Sequence, residues 1–143
     1  DTALVEECIV GREASCGVID NFRDKDIYVL PVVEIIPPKG KQQLFDYDAK
    51  YSGESLELCP STFSEKDKKE LERLGALVHQ KLGLRHYSRS DFIVSPRRGI
   101  YFLEVNTLPG MTKKSIFPKA LDVVGIKMKD FLHHVVSLAL NKK

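Results

Sequence analysis

The feature that most constrains this chain is a pair of apolar, alternating runs at 86–95 and 100–106, separated by the turn-forming stretch Pro96–Gly99. Pairing Phe92 with Leu103 and Val94 with Tyr101 gathers the apolar side chains on one face of a hairpin. Pro96–Gly99 is then a four-residue loop, a common hairpin length. The same register sets Asp91 opposite Glu104, and Asn106, two residues on, shares their face. Opposed carboxylates repel by about several tenths of a kcal/mol, so something must offset them. Two carboxylates and an amide oxygen describe a Mg2+ site. An alternating polar row describes equally well the solvated face of a half-exposed hairpin, with Arg89 as the counter-ion of Asp91. Pattern alone leaves both open. Thr107–Gly110 (TLPG) then turns sharply and leaves backbone N–H groups near the strand end.

Ahead of the hairpin, Ser64–Gly83 carries the clearest helix signal. Ser64 and Asp67 have capping-box spacing, Leu71, Leu74, Val78 and Leu82 fall on one face, and Gly83 suits the stop. Strands are expected at 3–10, 13–20 (the weaker of the two) and 27–36, with Pro31 marking an edge or a bulge in the last. Residues 41–63 show no sustained period and read as a long loop, of the kind that is usually functional or disordered. A final helical region, 118–140, is interrupted near Gly125, with Phe131, Leu132, Val135, Val136 and Ala139 expected inward. The order is that of an α+β domain.

A chain of 143 residues with net charge +2 and scattered Lys and Arg makes no case for a nucleic acid or an anionic membrane as partner. No apolar run approaches the roughly 18 residues of a membrane span. Cys8, Cys16 and Cys59 are odd in number and lack metal-ligand spacing, which suits reduced, buried thiols in a cytoplasm. His79, His86, His133 and His134 read as surface or packing residues. The chain opens on Asp1, followed at once by Ala3, Leu4 and Val5, and so reads as part of a longer polypeptide.

Five strings, in this order, carry a resemblance: VEECIVGRE (5–13), LPVVEI (30–35), FDYDAKY (45–51), RSDF (89–92) and YFLEVNTLPGMTKKSIFPKA (101–120). Together they resemble the C-terminal part of the D-alanine–D-alanine ligases, over essentially the whole chain. The resemblance implies the C-terminal lobe of an ATP-grasp fold, a mainly antiparallel sheet packed against helices, spanning residues 1–143. It also implies an N-terminal substrate domain and a first ATP-grasp lobe that this chain lacks. The implied reaction is ATP-dependent ligation of two D-alanine molecules through an acylphosphate, supplying peptidoglycan synthesis in the cytoplasm, with a homodimeric full-length parent. Other expectations are a different ATP-grasp carboxylate–amine ligase, or a nucleotide- or metal-binding module that does not turn over.

The resemblance also distributes roles. Glu6 accepts from the adenine amino group, backbone at Cys8 and Ile9 meets the ring, and Glu13 takes the ribose hydroxyls. Lys50 reaches the γ-phosphate of ATP as its loop closes, and Tyr51 matches the members that prefer D-alanine. Asp91, Glu104 and Asn106 hold two Mg2+ (or Mn2+) ions. Arg89 and the backbone N–H of Gly110 stabilise the oxyanion, and Ser115 with backbone at Ile116 holds the second substrate's carboxylate. The last pairing suits a helix N-terminus near Pro118.

Overall fold

The computed structural model describes residues 2–37 and 55–141. Its centre is a strand built from alternating small and branched residues, β1 (Arg12–Phe22), with Ala14–Ile19 all buried. Sequence patterning underrates this strand because both of its faces are covered, which removes the apolar–polar alternation. On one edge β1 pairs with β5 (Tyr87–Ser95), which pairs with β6 (Gly99–Asn106). On the other edge lie β2 (Lys25–Val29) and β3 (Val33–Ile36), with β4 (Leu56–Leu58) beyond β3. All these pairings are antiparallel, giving one six-stranded sheet.

The run 27–36 is therefore two strands. The register against β1 slips by one residue between Val18↔Val29 and Ser15↔Val33. Pro31, which has no N–H for a ladder, falls in that gap. The expected strand at 3–10 does not form. Residues 2–10 join no ladder, and Leu4 and Val5 stay exposed. An apolar run becomes a strand only where a neighbour offers the other half of the ladder.

Helix α1 (Glu65–Lys81) begins and ends as its sequence signals. Ser64 Oγ accepts from the Asp67 N–H and donates to its carboxylate, and Gly83 adopts a left-handed φ of 61° just past the C-cap. Its buried Leu71 closes a core with Ala14, Cys16, Phe63 and Phe92 on one face of the sheet. Gly75 allows the close approach, because a Cβ there would stand 3.0 Å from Cys16 Sγ. The opposite face is covered at one end by α2 (Ile116–Val123) and α3 (Met128–Leu140). There Ile19, Leu30, Val33, Phe117, Leu121 and Phe131 make the second core. On α3, Phe131 and Val135 turn inward as expected, whereas Leu132, Val136 and Ala139 face out.

Three of the four histidines converge on Asp20 of β1. His79, buried on α1, donates from Nε2 to Asp20 Oδ1 at 2.9 Å and accepts from Ser88 Oγ at Nδ1. This tautomer follows because an ionised carboxylate only accepts. The His86 N–H and the His134 ring bond the Asp20 carboxylate and carbonyl. The packing role expected of these histidines holds, and His133 is exposed. Burial raises the Cys16 thiol well above its ordinary range and pushes Cys59 up to about 11, which favours the protonated thiol at both. Cys8 is exposed, against expectation.

Two buried hydroxyls, those of Ser61 and Ser90, are unsatisfied among the described residues. Ser90 is fully buried and its hydroxyl has no hydrogen-bond partner among the described residues. Ser90→Ala removes that orphan at the cost of very little volume. We expect a gain of about 1 kcal/mol in stability, read by denaturant titration at unchanged slope. A loss instead means that the hydroxyl has a partner, such as an internal water.

Candidate functional site

The β5–β6 hairpin places the acidic residues where pattern put them, by a route that pattern did not foresee. The tip is tighter than expected. Ser95 pairs with Gly99, leaving three residues in the turn, and Gly99 takes the left-handed φ of 84°. Phe92 consequently pairs with Phe102 and Val94 with Ile100, in place of Leu103 and Tyr101. An irregularity after Asp91 then inserts Leu103 as an extra residue in β6. Beyond this bulge the expected register returns, with Asp91 opposite Glu104 and Arg89 opposite Asn106.

Directly paired residues share a face of the sheet, so Ser15, Asp91 and Glu104 stand in one row across three strands. Arg89, Asn106 and Gly17 form the next row toward the helical end. On Gly17 a Cβ would collide with Leu30 and Phe117, so the second core begins there. The polar rows thus lie just beyond the part of this face that α2 and α3 cover.

Within them, Arg89 grips Asp91 through Nε–Oδ1 at 3.0 Å and Nη2–Oδ2 at 2.8 Å. Both side chains are largely buried, and Ser15 Oγ donates to the same Oδ1 at 2.6 Å. Arg89 is therefore the counter-ion of Asp91 in this state, which accounts for one of the two opposed negative charges. Glu104 is exposed and makes no hydrogen bond or ion pair among the described residues. Asn106 Oδ1 accepts from the Leu108 N–H at 2.9 Å, shaping the turn that follows. No cluster of three or more His, Cys, Asp or Glu residues that could hold a metal occurs among the described residues. The candidate set here has two carboxylates and an amide.

The segment after β6 folds back on itself. Pro109 is buried, and Gly110 approaches Ser115 so closely that a Cβ would stand 2.9 Å from Ser115 Oγ. Ser115 is the N-cap of α2, yet its hydroxyl bonds Thr112 N and Oγ1 in place of the helix. Gly110 and Ser115 are thus brought together, with Ile116 the next residue along the chain.

At the other end of the same face, a groove of about 280 Å³ is floored by Ile9, Ile35, Ile36 and Ile93, with Glu13 on its wall. Its closeness depends on Gly11, where a Cβ would sit 2.5 Å from Ile93. Arg12 and Glu34 border it as a pair. Glu34 is buried, with Arg12 Nη2 at 2.6 Å from Oε1 and Thr62 donating twice to Oε2. Burial alone would raise the Glu34 carboxyl. The hydrogen bonds from Arg12 and Thr62, with the Arg12 charge, outweigh it and hold the group below its ordinary range.

Of the residues expected at a nucleotide, Ile9 and Glu13 line this groove, while Glu6 and Cys8 stand exposed on the irregular segment before it. Lys50 and Tyr51 lie outside the described residues. Ser15 and the Arg12–Glu34 pair were missed. The signal for Ser15 was available: Glu13, Ser15 and Gly17 alternate with Ala14, Cys16 and Val18 along one strand.

An antiparallel six-stranded sheet, helix-covered on one face and half open on the other, makes this the C-terminal lobe of an ATP-grasp protein. A D-alanyl-alanine synthetase A from Vibrio cholerae superposes on it with a TM-score of 0.77 at 31% identity, covering 95% of this chain and 41% of that one. A D-alanine–D-alanine ligase of Bacillus anthracis, solved with ATP, gives a TM-score of 0.71 at 25% identity over 94% of this chain and 40% of its own. The chain belongs to the family described as D-ala D-ala ligase C-terminus, which it matches over residues 1–137. It is 40% identical over 140 residues to the D-alanine–D-alanine ligase of Desulfotalea psychrophila and 41% identical over 145 to that of Halalkalibacterium halodurans. It spans 42% and 46% of their lengths, respectively.

Proposed function

We propose that this chain is the nucleotide-, metal- and oxyanion-binding half of an ATP-dependent ligase that joins two D-alanine molecules, supplying the dipeptide for peptidoglycan in the cytoplasm. The observation that carries this is the row of oxygen donors at Asp91, Glu104 and Asn106, on the face that also bears the groove. Asp91 Oδ2, both oxygens of Glu104 and Asn106 Oδ1 each keep lone-pair capacity for a hard cation. These donors fit two Mg2+ or Mn2+ ions, which in this reaction neutralise charge on the phosphates of ATP.

The groove, apolar in its floor, accepts the purine, with Glu13 at the ribose hydroxyls, backbone at Cys8 and Ile9 at the ring and Glu6 at the adenine amino group. Lys50 belongs to the γ-phosphate and Tyr51 to the choice of an amine as second nucleophile. The first D-alanine's carboxylate takes the γ-phosphoryl group as ADP leaves; the second D-alanine's amine then attacks the acyl carbon, loses its proton and expels inorganic phosphate. Arg89 and the Gly110 N–H face the oxyanion that develops, a role worth about 3–4 kcal/mol per donor. Ser115 and the Ile116 N–H, at the start of α2, hold the second substrate's carboxylate, where the helix end favours an anion.

The remaining parts of the site, an N-terminal substrate domain and a first ATP-grasp lobe, belong to the homodimeric full-length ligase. The test compares the two. A full-length ligase carrying this chain as its C-terminal lobe should release phosphate from ATP only when D-alanine is present, and form D-alanyl-D-alanine. The 143-residue chain alone should release none above background. Preference of the full-length enzyme for another acid or amine would replace the substrate assignment; nucleotide binding without any product would leave a binding module.

A further inference from the structure

Ser15 is fully buried, yet its hydroxyl is spent on the side chain of Asp91. A carboxylate offers about four lone-pair positions, two on each oxygen. At Asp91 three are taken: Oδ1 accepts from Ser15 Oγ at 2.6 Å and from Arg89 Nε at 3.0 Å, and Oδ2 accepts from Arg89 Nη2 at 2.8 Å. The fourth, on Oδ2, meets no donor among the described residues.

We infer that Ser15 is a positioning residue that makes Asp91 a one-oxygen ligand, keeping Oδ1 occupied and presenting Oδ2 to a small divalent cation. This rests on the metal role proposed above for Asp91. The two donors to Oδ1 differ in permanence. Arg89 is long, and its proposed work at the oxyanion draws its guanidinium off the carboxylate, vacating a position on each oxygen. Ser15 is short, buried, and paired Cα to Cα with Asp91 across the β1–β5 ladder. It stays when Arg89 leaves.

The consequence is selectivity. Mg2+ and Mn2+ fit octahedral sites of single oxygens, whereas Ca2+ accepts both oxygens of one carboxylate and a larger shell. With one Oδ1 position held by Ser15 and its charge shared with that hydroxyl, chelation through both oxygens of Asp91 is disfavoured. Without that hydroxyl the penalty is gone, and the advantage of the smaller ion shrinks.

The test is Mn2+ binding to a full-length ligase carrying this lobe by electron paramagnetic resonance, with Ca2+ measured by competition. Ser15→Ala should weaken Mn2+ by about 10-fold, the scale of lost outer-shell hydrogen bonds, and leave Ca2+ at least as tight. The Mn2+/Ca2+ preference therefore narrows about 10-fold. Ser15→Cys, similar in shape but a weak donor, should behave alike, and Ser15→Thr should restore the wild-type ratio. Equal weakening of both ions, or an unchanged ratio, overturns the positioning role while Asp91→Asn still abolishes binding. Should Asp91→Asn bind as wild type does, or the wild type show no saturable Mn2+ binding, the metal role of Asp91 falls and this inference with it.

Discussion

Glu104→Gln in the full-length ligase should lower turnover by about 1,000-fold or more while leaving the melting temperature of this lobe within about 2 °C of wild type. The activity side of this expectation follows from the donor row. Glu104 is the carboxylate with both oxygens open, so an amide there removes half the negative charge offered to the cations, worth several kcal/mol in the transition state. The stability side follows from the same geometry. Glu104 is exposed, makes no ion pair among the described residues, and faces Asp91 directly. Neutralising it relieves a like-charge pair, so the melting point should hold or rise slightly. Activity assays and thermal melts of the same variant decide it. A destabilised variant that still turns over would return Glu104 to an ordinary place on a solvated hairpin.

Arg12→Ala should destabilise the lobe by about 3 kcal/mol at neutral pH, lowering its melting temperature by about 10 °C. Removing the guanidinium leaves Glu34 buried with only the two Thr62 donors. The loss sits at the lower end for a broken buried pair because Arg12 itself is half exposed and lies over the Phe63 ring, so part of its environment is already solvent. The pH dependence has a definite sign. In the wild type the folded Glu34 carboxyl titrates below its ordinary value, so its contribution is complete above that value and fades as pH falls through the folded one. In the variant, burial acts without the cation and raises the group. The gap between the two proteins should therefore be widest at neutral pH and narrow in acid, which denaturant titrations at pH 7 and pH 4 would read. A constant gap would assign the loss to packing against Phe63 instead.

Much of the architecture was legible because local chemistry and tertiary packing agree. Ser64, Asp67 and Gly83 announce α1 whatever lies beside it, and Gly125, at a φ of 68°, separates α2 from α3 as its sequence position suggested. The disagreements over strands have one cause. Residues 2–10 look like a strand but join no ladder, and 27–36 looks like one strand but is two, because ladders depend on partners that are remote in the chain. Leu132 and Val136 look inward by composition, yet only Phe131 and Val135 reach the second core.

The candidate site divides in the same way. Sequence alone determined that Asp91, Glu104 and Asn106 share one face, since period-two alternation and a short turn leave few registers that bury Phe92. It did not determine how that register is reached. The tight tip and the bulge at Leu103 cancel each other, a matter of turn geometry rather than of hydrophobic pattern. Only the tertiary structure brought Ser15 to Asp91, Glu34 to Arg12 and Gly110 against Ser115. A strand's period fixes which way a side chain points; which distant group it then meets depends on strand order, and short-range pattern carries no record of that.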